Sequence, residues 1–381
     1  MTLREDAGAG AFAPVRPGDH RFMAAAIRYA MRHVGLTGTN PSVATLIVAD
    51  EGAGPIIVGR GVTALGGRPH AETQALAEAG ERAGGATAYV TLEPCAHHGR
   101  TPPCAEALVA AGIARVVSAA ADPDPRVDGK GHRILMAGGL SVTPRVMVPE
   151  AADMISGYLS RHLKSRPEVT LKMALSADGK IGIRGGGQVK ITGSVADAQT
   201  HLERARHDAI LIGSGTALED DPRLDCRLPG LAERSPSRII LDPRLRLAPE
   251  MTVARTAKTV PTLVATFVDA DPVRRAALAE AGVAFVSCEA DPETGRIALP
   301  ELMEDLAATG TASILVEGGA ETGASFLEAD LVDRLILVEG QVEIGAEGVA
   351  APIDVAAARE RFRLRREYRF ADDRWSEFER R

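Results

Sequence analysis

A chain of 381 residues is long enough for two or three domains, each with its own core, and 45% apolar with 25% charged residues is the composition of a soluble globular protein. The net charge of −7 excludes a surface that tracks many phosphates, and 3% aromatics with one tryptophan, Trp375, exclude a base-stacking platform, so no nucleic-acid partner is expected. No run approaches the roughly 18 apolar residues of a membrane span, and 1–17 lacks the pattern of a secretory signal, so a cytoplasmic enzyme without a membrane partner is expected.

Helical periodicity runs from Asp19, a plausible N-cap, to His33, and Gly35 ends it. Strands are expected over Val43–Ala49 and Pro55–Gly59, and Thr63–Arg68 is a loop that delivers His70 to a helix running to Arg82. Thr87–Leu92 reads as a buried strand ending at Glu93, where Pro94-Cys95-Ala96-His97-His98-Gly99-Arg100-Thr101-Pro102-Pro103-Cys104 begins. Thr101 is a possible N-cap with Pro102 at N1, which places Cys104 in the first turn of a helix reaching Ala111 and favours its thiolate. The strand Arg115–Ala120 and the loops Asp122–Pro125 and Gly129–Gly131 complete a first α/β unit.

His70, Cys95 and Cys104 are three ligands that leave a fourth tetrahedral position for water, the arrangement of a catalytic zinc. Glu72, two residues past His70, is placed to move protons for that water, and H-x-E followed by P-C is the signature of zinc nucleobase deaminases. Eight residues separate the cysteines, where the shorter motif has two. Three other readings stay open: His98 as third ligand in place of Cys104, a closed structural zinc completed by His97 or His98, and Glu72 as an ordinary helix-face carboxylate. Cys226 and Cys288 read as free thiols.

A helical connector at 149–167 leads to a second unit at 168–381. There Val169–Ser176 is a buried strand, Ala177–Lys180 a turn and Gly185–Gly187 a flexible loop. Helices at Ser194–Arg206, Pro272–Ala281 and Pro300–Ala308 alternate with strands at Ala209–Ile212, Arg238–Leu241, Thr262–Ala265, Val283–Ser287 and Ser313–Glu317, which implies a mostly parallel sheet. Gly213–Thr216 and Gly318–Gly323 lie at strand ends; the second leads into a helix near Thr322–Ala329 and is either a pyrophosphate cradle or a tight turn. Residues 356–381 read as a returning edge strand or hairpin.

The stretch P-C-A-H-H-G-R-T-P-P-C resembles the bifunctional riboflavin-biosynthesis deaminase/reductase family, and L-K-M-A-L-S-A-D-G-K, A-I-L-I-G-S-G-T-A-L-E-D-D-P-R-L and L-V-E-G-G-A-E-T resemble its reductase half. The resemblance implies a cytidine-deaminase-like α/β/α domain at 19–148 and a dihydrofolate-reductase-like α/β domain that uses NADPH. It implies zinc on His70, Cys95 and Cys104, proton transfer by Glu72, and contacts from Asn40, His97 and Arg100 to a phosphorylated pyrimidine. In the second half it implies NADPH against Ala174, Lys190, Thr216, Asp220, Gly319, Ala320, Glu321, Thr322, Gly323, Ala324 and Ser325. The substrate would meet Gln188, Arg204, Leu224 and Arg227 at its phosphate and Lys172 and Glu317 at its ribose. Thr63 stands where the family often has histidine, and Lys190 where an aromatic is common. A homo-oligomer is expected; the alternatives are a deaminase with a non-catalytic second domain and an RNA base deaminase.

Overall fold

The computed structural model describes residues 12–99 and 102–381, and the chain divides after Lys164 into two compact units. The first unit runs α1 (Asp19–Ala30), β1 (Ala44–Asp50), β2 (Pro55–Val62), α2 (Ala71–Ala79), β3 (Thr87–Leu92), α3 (Cys104–Ala110), β4 (Arg115–Ala120), α4 (Lys130–Ala137), β5 (Ser141–Thr143), α5 (Val148–Met154) and α6 (Ser156–Lys164). Its sheet has the order β2-β1-β3-β4-β5; β1 is antiparallel to β2 and β3, and the remaining pairs are parallel. β3 and β4 are covered on both faces, which explains their near-continuous apolar sequences.

Two glycines set the position of α2. A Cβ on Gly61 would lie 1.9 Å from the Ala71 carbonyl oxygen, and one on Gly59 would lie 2.2 Å from that of Ala75. Only bare backbone lets the helix rest this close to β2, and its first turn is thereby held at the sheet edge where His70 and Glu72 are needed. Gly80, at φ 55°, ends the helix at Ala79, short of the expected Arg82; a 3₁₀ turn follows.

Asp19 is not the N-cap of α1. Gly18 holds that position at φ 92°, because the Asp19 carboxylate is drawn inside to pair with buried Arg115, with both oxygens at 2.8 Å, and to accept the Tyr89 hydroxyl at 2.9 Å. The stretch expected as a connector forms α5 and α6, and both belong to the first unit. Ala151 and Ile155 enter its core, and the Tyr158 hydroxyl donates to Asp122 at 2.7 Å.

The second unit runs β6 (Glu168–Leu175), β7 (Lys180–Ile183), α7 (Ser194–Arg204), β8 (Ala209–Gly213), α8 (Ser214–Asp220), β9 (Ser237–Leu241), α9 (Thr252–Arg255), β10 (Thr262–Phe267), α10 (Pro272–Ala281), β11 (Ala284–Cys288), α11 (Leu299–Ala308), β12 (Ser313–Val316), α12 (Ala320–Glu328), β13 (Arg334–Glu339), β14 (Gly348–Ala350), α13 (Val355–Arg361), β15 (Phe362–Phe370) and β16 (Asp373–Arg380). Its main sheet has the order β11-β10-β9-β8-β12-β6-β13-β16-β15, parallel from β11 to β13 and antiparallel through the terminal hairpin. Alternate residues of β8 feed two cores: Ala209 and Leu211 pack toward α11 and α12, while Ile210 and Ile212 pack with Ile240, Val264 and Leu278. The carboxyl ends of β6, β8, β9 and β12 therefore share one edge, where an α/β sheet opens its ligand crevice.

Candidate active sites

In the first unit the metal loop leaves the end of β3 and returns at α3, opposite the start of α2. His70 caps α2 with extended backbone and Cys104 is the first residue of α3, so two of the three donors sit at helix starts. Pro103, rather than Thr101, occupies the cap position of α3; Thr101 and Arg100 lie outside the described residues. Cys95 is fixed by backbone: its sulfur accepts the Cys104 N–H at 3.2 Å, and its carbonyl accepts the Ala105 N–H at 3.2 Å.

His70 Nδ1 lies 3.7 Å from Cys95 Sγ and 3.4 Å from Cys104 Sγ, and the three donor atoms fall within 4.8 Å of one another. A tetrahedral zinc with Zn–N near 2.05 Å and Zn–S near 2.3 Å requires N–S edges of about 3.6 Å. The donors are thus spaced as zinc needs them. The hydrogen bond from Cys104 brings the Cys95 thiol down to about 4, while that same bond, burial and the Glu72 charge push Cys104 up.

Glu72 is 4% exposed and stands outside the donor triangle; burial and the Cys95 charge raise its pKa. His98 is an exposed side chain 3.6 Å from Glu106 and not a member of the cluster. His97 Nδ1 is buried without a partner among the described residues, an acceptor or donor free for a ligand. Asn40 donates to the Gly67 carbonyl at 3.0 Å, which leaves its own side-chain oxygen unused by that bond. Thr63 is buried and structural: its Oγ1 accepts the Val43 N–H at 2.9 Å.

The second unit has an open cavity of about 1430 Å³ at the shared strand edge. Lys172, Ala174, Gln188, Lys190, Arg204, Thr216, Asp220, Arg227 and Glu317 all line it, as do Gly319, Ala320, Glu321, Thr322 and Ser325. Gly323, Ala324 and Leu224 do not. Helical periodicity turns Gly323 under α12 against Met173 and Pro352 and takes Ala324 off the cavity wall, and Leu224 is 4% exposed in the core beside Ile210. The sequence pattern missed Arg184, His201, Arg244, Arg246 and the turn 291–296 on the same wall. The place of Arg244 and Arg246, just past a strand end, was the available signal.

The turn before α12 is built for close approach. A Cβ on Gly318 would lie 2.6 Å from Thr322 Cβ, one on Gly213 would lie 2.5 Å from Thr322 Oγ1, and the Gly319 N–H reaches Thr216 Oγ1 at 3.2 Å. Backbone N–H groups at the start of a nine-residue helix then face the cavity, as a pyrophosphate requires.

Immediately before that turn, Arg204 forks both oxygens of Glu317, at 2.7 and 2.8 Å, and donates to the Asp225 carbonyl. Burial raises the Glu317 pKa, but the Arg204 and Lys172 charges outweigh it and hold the carboxyl at about 2. Burial lowers that of Lys172. Arg204 is therefore committed within the protein, whereas Arg227, paired with Asp225 at 2.8 Å, remains half-exposed. Lys190 is exposed and 3.6 Å from Asp197.

Residues 17–120 match the family model "Cytidine and deoxycytidylate deaminase zinc-binding region", and residues 167–373 match "RibD C-terminal domain". The riboflavin biosynthesis protein RibD of Bacillus amyloliquefaciens is 38% identical over 331 residues, 87% of this chain and 86% of that protein. Its counterpart in Escherichia coli K12 is 37% identical over 354 residues, 86% of this chain and 89% of that one. Acinetobacter baumannii RibD superimposes with a TM-score of 0.83 at 34% identity, covering 95% of this chain and 99% of that one. A Thermotoga maritima diaminohydroxyphosphoribosylaminopyrimidine deaminase/5-amino-6-(5-phosphoribosylamino)uracil reductase gives 0.81 at 28% identity, with the same coverage.

Proposed function

The chain belongs to the RibD family of riboflavin-biosynthesis proteins, and on that premise we propose how its own residues carry out the two reactions. It is a bifunctional zinc-dependent deaminase and NADPH-dependent reductase. The first unit removes the 2-amino group of 2,5-diamino-6-(5-phosphoribosylamino)pyrimidin-4(3H)-one, and the second reduces 5-amino-6-(5-phosphoribosylamino)uracil at the ribose. Matches running through both units set aside a lone deaminase with an idle second domain, and an RNA base deaminase.

His70, Cys95 and Cys104 hold the zinc. When bound, zinc supplies the Lewis acidity that makes water nucleophilic near neutral pH. Glu72, left out of the donor set, accepts a proton as the water oxygen bonds to the amine-bearing carbon, and returns it as ammonia departs. His97 and Asn40 orient the pyrimidine, with Arg100 as a third contact. In the second unit NADPH supplies the hydride for ribose C1. The start of α12 with Thr216 takes the pyrophosphate, Lys172 and Glu317 face the sugar, and Gln188 and Arg227 meet its phosphate. The work there is orientation of two bound molecules. No described helix is long and apolar enough to cross a membrane. A cytoplasmic location and a homo-oligomeric state complete the proposal, to be checked by cell fractionation and light scattering.

The donor triangle beside a buried, uncoordinated carboxylate carries this reading. In Glu72→Gln the bound zinc and NADPH oxidation with the deaminated intermediate stay at wild-type levels while ammonia release falls by about a hundredfold or more. Ammonia release at the wild-type rate would refute the proton-transfer role.

A further inference from the structure

Strand directions bring several loops of the first unit to one edge of its sheet. β3 and β4 are parallel, so the metal loop and the loop from Asp122 to Asp128 leave neighbouring carboxyl ends, and the Glu93 N–H still reaches the Ala120 carbonyl at 2.9 Å. β1 is antiparallel to β3, so its amino end lies at that edge too. Thr45 stands opposite Val90, and the Ala44 N–H reaches Thr91 Oγ1 at 3.1 Å. Thr39 and Asn40 come just before that end, and Asn40 is tied through Gly67 to the loop that delivers His70.

Helix α6 reaches two of these loops with side chains one turn apart. The Tyr158 hydroxyl donates to Asp122 Oδ1 at 2.7 Å, and the Arg161 guanidinium donates to the Thr39 carbonyl at 2.7 Å. Residues at i and i+3 share a helix face, so the two bonds brace the loops against one another. The helix itself is seated: Tyr158 and Leu159 pack on the core, and the His162 ring lies 4.4 Å from that of Tyr158. Each bond also grips a closed turn. Asp122 Oδ1 accepts the Asp124 N–H at 3.0 Å, while Thr37 Oγ1 donates to the Asn40 carbonyl at 2.6 Å and the Asn40 N–H returns to the Thr37 carbonyl at 3.3 Å. A shift at Thr39 is therefore passed on to Asn40. Burying the Asp122 carboxyl, which pushes it up to about 6, is costly. Apolar contact would hold α6 without direction, whereas a hydrogen bond fixes the angle of a loop as well as its distance.

On the premise that the first unit deaminates a phosphorylated pyrimidine, we propose that Arg161 and Tyr158 are positioning residues for that reaction, Arg161 setting Asn40 through the Thr39 carbonyl and Tyr158 setting the loop after β4 through Asp122. Helix α6, which the sequence presents as a connector, is then a working part of the deaminase.

The test is steady-state ammonia release by the full zinc-loaded chain, with amide hydrogen exchange at 37–42 and 124–128 as a second measurement. Arg161→Met and Tyr158→Phe each raise KM for the pyrimidine phosphate by about 3- to 10-fold, the loss of one hydrogen bond passed to the binding contacts, and leave kcat within about twofold. Arg161→Lys, which keeps a donor, recovers part of the loss. The amides of the loop released in each variant exchange faster, while bound zinc and NADPH oxidation hold. Leu163→Ala, on the same helix at an exposed position, changes neither KM nor loop exchange. Lower thermal stability with KM and loop exchange unmoved would overturn the proposal, because α6 would then contribute packing alone. A wild-type chain that releases no ammonia, with the loop-specific exchange still seen in the variants, would sink the deaminase reading and leave the brace standing.

Discussion

A methyl group on Gly61 tests whether the seat of α2 controls the deaminase chemistry. In Gly61→Ala the new Cβ would lie 1.9 Å from the Ala71 carbonyl oxygen and 2.8 Å from the Ala75 amide nitrogen. Both obstacles are backbone, so no side chain can swing aside, and reaching ordinary contact at 3.4 Å requires α2 to retreat by about 1.5 Å. Ala71 sits between His70 and Glu72, so a donor and the proton carrier move with it. Overpacking of this kind costs about 1–3 kcal/mol of stability, and misplacing reacting groups by about 1 Å costs about a hundredfold in rate. Ammonia release should fall by about that factor at saturating zinc. NADPH oxidation with the deaminated intermediate should hold, because the second unit has its own cores. Gly84 is the control, since a Cβ there meets its nearest neighbour, the Glu81 carbonyl oxygen, at 3.5 Å and Gly84→Ala should change neither reaction. Wild-type ammonia release from Gly61→Ala would refute the argument.

Two further perturbations probe buried charge. Burial pushes the Asp122 carboxyl up to about 6, with the Tyr158 hydroxyl and Asp124 N–H hydrogen-bonded to it. A raised folded pKa means that the stabilisation is full below about pH 4 and lost as pH climbs through 6. Asp122→Asn removes this dependence, so its stability relative to wild type should rise by about 3 kcal/mol between pH 4 and 7; a pH-independent difference in urea unfolding speaks against it. For the Arg204–Glu317 pair, each side chain about 13% exposed, Arg204→Met and Glu317→Gln should each cost about 3–5 kcal/mol, and the double variant clearly less than their sum. Additive costs in the double-mutant cycle would show that the pair is not coupled.

The metal site was legible because its chemistry is written locally: a histidine and a carboxylate at one helix start, and two thiols on one loop that begins where a strand ends. The second unit's strands were legible for a different reason, since parallel strands covered on both faces leave apolar runs such as Ala209–Ile212 and Ser313–Val316. Strands β5 and β14, with three residues each, carry too little pattern to read. The seat of α2 depends on Gly59 and Gly61 meeting a helix ten or more residues later, and a glycine in a strand does not announce what approaches it. Helices α5 and α6 were read as a connector because their polar faces dominate the sequence; the few apolar residues that join the core decide otherwise. Asp19 shows the limit of local rules most clearly, for a good capping residue was taken instead by an arginine 96 positions away.

The family resemblance implies that Arg204 meets the substrate phosphate, and the geometry argues for a different division of labour. A cation serves a mobile anion only if its hydrogen bonds are free when the anion arrives. Arg204 has three donors engaged, by both Glu317 oxygens and by the Asp225 carbonyl, and freeing them would strand a buried carboxylate. What it does instead is keep Glu317 ionised and fixed, and the Lys172 charge acts in the same direction. On the proposed function, the sugar phosphate is then met by a cavity-lining cation that keeps solvent-facing donors, Arg227. Charge at the base of the cavity sets geometry, and charge at its rim sets affinity.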